Sequence, residues 1–122
     1  MVDEDLLPEQ VMVFGFSQGT MMALHVLPRR EDAVAGICAF SGRLIQPELL
    51  GDEVQCRPPV LLVHGDDDQV VPIQSMAQAA EGLQAAGWEE IYAHVMKGTG
   101  HGIAPDGLSV ALAFMRERLG YA

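Results

Sequence analysis

Short apolar runs alternate with amphipathic segments along this chain, and the alternation predicts strands that alternate with helices. The runs are rich in Val, Ile and Leu and have the length of buried strands. The predicted strands are residues 10–14, 34–40, 60–64 and 91–96. The third run, VLLVH, is almost continuously apolar, which is typical of a strand covered on both faces.

Segments with helical spacing of apolar residues lie between these runs. The predicted helices are residues 18–27, 73–86 and 107–119, and a helical turn is predicted at residues 47–50 within a loop at residues 43–57. Because strands alternate with helices, the sequence predicts an α/β fold: an open parallel sheet of about four strands with helices on both faces. The length of 122 residues corresponds to one domain, residues 1–122.

The charge balance excludes some classes of partner. The formal net charge is -10 and only seven Lys and Arg are present, whereas binding to nucleic acid needs a basic face. The sequence shows neither a signal-peptide pattern nor an apolar stretch long enough to span a bilayer, so we expect a cytoplasmic protein. Cys38 and Cys56 lack metal-binding or redox spacing and are interpreted as free thiols.

The stretch VFGFSQGT, residues 13–20, places Ser17 between Gly15 and Gly19, where a predicted strand meets a predicted helix. In this context G-x-S-x-G is typical of a nucleophile elbow, a sharp turn that exposes the serine hydroxyl above the sheet. We expect the two glycines to leave room where the backbones pass closely. We also expect the Gln18 N–H, at the helix N-terminus, to stabilise an oxyanion. Alternatively, Ser17 merely caps the helix.

A serine hydroxyl needs a neighbouring base to become a nucleophile, and the base needs a group that orients it. His101 lies in the loop GTGHGI after the last predicted strand, where an imidazole can reach over the sheet edge. The other histidines lie within or at the end of predicted elements and are interpreted as structural; they are His25, His64 and His94.

Three consecutive carboxylates, those of Asp66, Asp67 and Asp68, follow the third predicted strand. Such a run suits a solvated turn or a weak cation site as well as a catalytic acid. The chain order Ser, Asp, His, with each residue after its own strand, is that of the α/β-hydrolase fold among serine-triad folds. Parallel strands would bring the three loops to one edge of the sheet.

Together these motifs resemble the phospholipase/carboxylesterase family of α/β-hydrolases, which includes bacterial carboxylesterases and acyl-protein thioesterases. The resemblance rests on the elbow GFSQGTMMAL, the acid loop HGDDDQVVP and the histidine loop GHGI. It implies a serine hydrolase of esters or thioesters that needs no metal or organic cofactor. It also implies the catalytic residues Ser17, Asp68 and His101, since the family's carboxylate stands four residues before the Pro, here Pro72.

The resemblance covers only the C-terminal half of such an enzyme. In that family the part before the elbow supplies several strands and the loop that carries the second oxyanion amide. The first strand, residues 10–14, would then be an exposed sheet edge, so we expect a homodimer or a complementing N-terminal half. The alternative function is a non-catalytic or partner-dependent half-hydrolase, either a truncated remnant or an interaction subunit, that retains Ser17, Asp68 and His101. A dienelactone-hydrolase-like enzyme is a further alternative, although that resemblance requires Cys in place of Ser17.

Overall fold

The computed structural model describes residues 10–120. The nine residues that the sequence places ahead of the first strand lie outside this range, as do residues 121 and 122. The elements are β1 (Met12–Phe16), α1 (Gln18–Val26), a short 3-10 helix (Leu27–Arg29), β2 (Gly36–Phe40), α2 (Pro47–Glu53), β3 (Val60–Gly65), α3 (Gln74–Ala85), β4 (Ile91–Met96) and α4 (Pro105–Leu119). Each predicted strand and helix therefore has a counterpart in the structure.

The four strands form one parallel sheet in the order β1-β2-β3-β4. The parallel α/β fold predicted from the sequence is confirmed. β1 begins and ends two residues later than predicted, because its register with β2 carries the pairing through Gly15 to Phe16, opposite Phe40. The helical turn predicted at residues 47–50 extends to Glu53, and α4 begins earlier than predicted, with Pro105 in its first turn, where the missing N–H costs nothing.

Helices cover both faces of the sheet, as predicted. In β2, Ile37 and Ala39 point towards the core formed with α1, α2 and α3, whereas Cys38 and Phe40 point towards the core beneath α4. All five residues of β2 and all six of β3 are buried. The two central strands thus explain the nearly continuous apolar runs, since each face of each strand lies against a helix.

β1 forms one edge of the sheet and, within residues 10–120, pairs only with β2. Its burial is incomplete: the Phe14 side chain is stacked on Phe40 with ring centroids 4.8 Å apart, yet Phe14 is 44% exposed. Among the described residues, no helix is long and apolar enough to cross a membrane.

Candidate active site

Ser17 occupies the single residue between β1 and α1 and has φ 55° and ψ -112°. This is an uncommon conformation for a residue with a side chain, as expected for a strained elbow. Two hydrogen bonds join the elbow to the end of β2. The Ser17 N–H donates to the Phe40 carbonyl at 2.9 Å, and the Thr20 hydroxyl donates to the same oxygen at 2.8 Å.

The two elbow glycines differ in what they avoid. A Cβ at Gly15 would lie 2.7 Å from the Thr20 nitrogen and 2.8 Å from its Cα, so the strand and helix backbones do pass too closely for a side chain. A Cβ at Gly19 would have no atom of residues 10–120 within 4 Å. The expected steric role is therefore met at Gly15, and the expectation was wrong at Gly19, because Gly19 is exposed on α1.

The Ser17 hydroxyl contacts His101 instead of capping the helix. Ser17 is the N-cap residue of α1, but its side chain makes no capping hydrogen bond. Its Oγ lies 3.0 Å from His101 Nε2, although the two residues are 84 positions apart in the sequence. The alternative in which Ser17 serves only as a helix cap does not fit this geometry.

Asp68 lies on the other side of the His101 ring. Its Oδ2 is 2.8 Å from His101 Nδ1, and its Oδ1 accepts the N–H groups of Val70 and Val71 at 2.8 Å each. Burial by itself raises the pKa of this carboxyl, but the hydrogen bonds from His101, Val71 and Val70 outweigh burial, so the pKa lies below its ordinary value. Asp68 is thus held as a carboxylate that faces the imidazole.

The neighbouring carboxylates serve other purposes. Asp66 accepts the Gly98 N–H at 2.8 Å, and the Asp67 side chain is exposed. The Asp67 N–H also donates to the Thr99 carbonyl at 3.0 Å, so the acid loop and the histidine loop are tied together. Within residues 10–120 no group of three or more His, Cys, Asp and Glu side chains could hold a metal ion.

Behind Asp68 lies a second imidazole, that of His64. It is almost fully buried; its Nε2 is 2.7 Å from the Val71 carbonyl and 3.5 Å from Asp68 Oδ2. A proton on Nε2 satisfies the Val71 carbonyl, so His64 fixes the turn that presents Asp68. From the sequence, His64 is interpreted as structural. Its contacts show that it supports the loop that carries Asp68.

A cleft of about 320 Å³ opens beside the Ser17 hydroxyl. It is lined by Ser17, Gln18, Met21, Arg43, Val70, Val71 and Pro72. Gln18 is the first residue of α1, where backbone N–H groups have no intrahelical acceptor.

Cys38 is buried within the sheet, and burial raises the pKa of its thiol to about 11. This thiol is therefore not a competing nucleophile.

A family model described as Phospholipase/Carboxylesterase matches residues 1–119. The chain belongs to this family. It is 29% identical to acyl-protein thioesterase 1 of Gibberella zeae over 97% of this chain and 52% of the thioesterase. The crystal structure of esterase PE8 is 44% identical and superimposes with a TM-score of 0.90, covering 94% of this chain and 53% of the esterase.

A solved structure of lower sequence identity shares the fold of this family member. MGS-M1, an α/β-hydrolase from a Medee basin deep-sea metagenome library, is 18% identical and has a TM-score of 0.72 over 94% of this chain and 57% of its own. The chain thus spans about half the length of the proteins that it matches. The resemblance predicted from the three motifs is confirmed.

Three features around the candidate active site of this phospholipase/carboxylesterase-family chain were not predicted from the sequence. A Cβ at Gly42 would lie 2.5 Å from a side-chain carbon of Thr20, so the turn after β2 packs directly on the elbow. Arg43, the next residue, lines the cleft beside Ser17. At Gly65 a Cβ would meet the carbonyl oxygens of Thr99 and Gly100. In the sequence, only the SG pair after β2 and the HG pair at the end of β3 could have signalled such close packing.

Proposed function

We propose that this chain is a serine hydrolase that cleaves carboxylic esters or thioesters through an acyl-enzyme. The observation that carries the proposal is the hydrogen-bonded path from Ser17 through His101 to Asp68, with distances of 3.0 Å and 2.8 Å. Membership of a family whose relatives are named as esterases and thioesterases supports it.

In the proposed reaction, Ser17 Oγ attacks the acyl carbon while His101 Nε2 accepts the hydroxyl proton. Asp68 Oδ2 accepts the hydrogen bond from His101 Nδ1–H and stabilises the imidazolium that forms. The Gln18 N–H donates to the oxyanion of the tetrahedral intermediate. His101 then protonates the leaving alcohol or thiol, and a water molecule hydrolyses the acyl-enzyme with the same groups.

Hydrolysis of a short-chain p-nitrophenyl ester by the wild type and by Ser17→Ala tests the assignment of the nucleophile. We expect the substitution to lower kcat/KM by about 10³-fold or more. Ser109→Ala is the matched control, since Ser109 is exposed on α4, and it should leave the rate unchanged. Activity that is indifferent to Ser17→Ala would falsify the assignment. Rapid labelling by a fluorophosphonate, lost in Ser17→Ala only, gives an independent measurement.

We also propose that activity depends on a partner chain, either a second copy or a complementing N-terminal half. Within the described residues β1 pairs only with β2, and Phe14 on this strand is half-exposed; both observations support this proposal. The partner would supply the second oxyanion donor and part of the acyl pocket. The competing function is a non-catalytic half-hydrolase, which would neither hydrolyse the ester nor react with the fluorophosphonate at any protein concentration. The cytoplasmic location stays a prediction from the sequence.

A further inference from the structure

Two clefts meet at Arg43. One is the cleft of about 320 Å³ that contains Ser17 and Gln18. The other, of about 500 Å³, runs between the loop after β2, the start of α2 and α3. The second cleft is lined by Arg43, Leu44, Ile45, Gln46, Pro47, Gln78 and Ala79. Arg43 is the residue common to both, so a substrate that extends from Ser17 into the second cleft passes its guanidinium.

Among the residues of the range 10–120 that line the two clefts, Arg43 is also the only charged one. The side chains of three other arginines have partners within the described residues. Arg29 pairs with Glu53, Arg118 pairs with Glu90, and Arg57 donates to the backbone carbonyl of Ala86. The Arg43 side chain has no hydrogen bond or ion pair with any residue of the range 10–120. Its donors therefore face the clefts and the solvent, in a chain whose formal net charge is -10.

We infer that Arg43 binds an anionic group of the substrate, a carboxylate or a phosphate carried by the acyl chain or by the leaving group. A guanidinium presents its donors in a planar fork that matches such groups. Because the rest of the chain is acidic, an anionic substrate is repelled elsewhere and attracted at this position. The preference selects among substrates at the same site, so this inference rests on the proposed function.

Two matched pairs of substrates test the inference and distinguish the two sources of the anion. For the acyl side, mono-p-nitrophenyl glutarate is compared with neutral p-nitrophenyl pentanoate. For the leaving group, acetyl-coenzyme A is compared with neutral S-acetyl-N-acetylcysteamine. The quantity measured is the ratio of kcat/KM for the anionic member of a pair to kcat/KM for the neutral member.

We expect Arg43→Gln to lower this ratio by about tenfold to hundredfold in one of the two pairs, the range for a charge-assisted hydrogen bond. The rate on the neutral member should fall less than the rate on the anionic member, and the ratio cancels any loss that is common to both. Arg43→Lys should restore part of the ratio, because it keeps the charge but loses the fork. Arg30→Gln is the control: Arg30 is exposed outside both clefts, and its loss changes the net charge by the same amount.

Ratios that Arg43→Gln leaves unchanged in both pairs, with hydrolysis still dependent on Ser17, would overturn the inference and leave the proposed function standing. If neither neutral substrate is hydrolysed, the proposed function fails for the chain alone. The inference about Arg43 is then tested by measuring the binding of anions. Glutarate and coenzyme A are then titrated into the chain and followed by NMR. Binding that is lost in Arg43→Gln but kept in Arg30→Gln supports the inference, and no binding by the wild type overturns it.

Discussion

The Asp68 carboxylate and the His101 imidazole are joined by one hydrogen bond of 2.8 Å, and the second carboxylate oxygen accepts two backbone N–H groups. Asp68→Asn would keep an oxygen for the backbone but turn an NH₂ group towards His101 Nδ1. The ring would then favour the tautomer that cannot accept the Ser17 proton. We expect kcat for p-nitrophenyl ester hydrolysis to fall by about 10³-fold to 10⁴-fold with little change in KM.

Asp67→Asn is the matched control for this substitution. Asp67 precedes Asp68 in the same loop, but its side chain is exposed, and within residues 10–120 only its backbone N–H makes a hydrogen bond, to the Thr99 carbonyl. The control should therefore retain the wild-type rate within about twofold. Equal losses in the two variants would show that the loop tolerates no change, and the proposed role of Asp68 would be wrong.

Asp68 also makes stability depend on pH. Its pKa in the folded chain is lowered, so between this pKa and the ordinary value of about 3.9 the unfolded chain binds more protons than the folded chain. The stabilisation is fully present above the unfolded pKa and is lost as the pH falls through the folded pKa. The difference in free energy of unfolding between wild type and Asp68→Asn, measured with urea from about pH 7 to about pH 3, should therefore shrink. A difference that stays constant over this range contradicts the prediction.

The elbow glycines should respond to alanine in opposite directions. At Gly15 the new Cβ would lie 2.7 Å from the Thr20 nitrogen, a backbone atom that cannot move aside. We expect Gly15→Ala to lower the free energy of unfolding by about 1–3 kcal/mol and to displace Ser17. Gly19→Ala meets no atom of the described range and lies within α1, so it should raise the free energy by about 0.5–1 kcal/mol. Urea titrations of both variants measure the two signs, and equal effects would contradict the packing at Gly15.

Local pattern could predict the strands, the helices and the three residues that meet at the site. Ser17, Asp68 and His101 each lie in a short motif after a strand, and parallel strands end at one edge of a sheet. The contact of Thr20 with Gly42 could not be predicted in this way. It depends on the register that places Phe16 opposite Phe40, which sequence periodicity does not specify.

The position of Arg43 beside the site could not be predicted from sequence periodicity either. In the sequence it is one of seven Lys and Arg, and it begins a mixed segment read as a loop. Its place beside Ser17 comes from two packing contacts, Gly42 on Thr20 and the β1-β2 pairing, which join distant parts of the chain. That its side chain has no partner within residues 10–120 likewise emerges only from the folded structure.

The two edges of the sheet should behave differently when a charge is introduced. Phe14 on β1 and Tyr92 on β4 are similarly exposed, at 44% and 45%. β4 is flanked by Glu89, Glu90 and Lys97, charges that discourage pairing with another chain, whereas residues 10–16 carry no charge. Association is therefore expected at β1.

Light scattering coupled to size exclusion, at micromolar concentrations, measures that association directly. We expect the wild type to elute with about twice the mass of one chain, as for a two-fold dimer. Phe14→Lys should shift the equilibrium towards the monomer, because a buried lysine at the new interface would lose its hydration. Tyr92→Lys should leave the mass unchanged, since it places the same charge at similar exposure on the opposite edge. A wild-type monomer that hydrolyses the ester on its own would exclude the second copy as a required partner, and equal effects of the two lysines would exclude β1 as the interface.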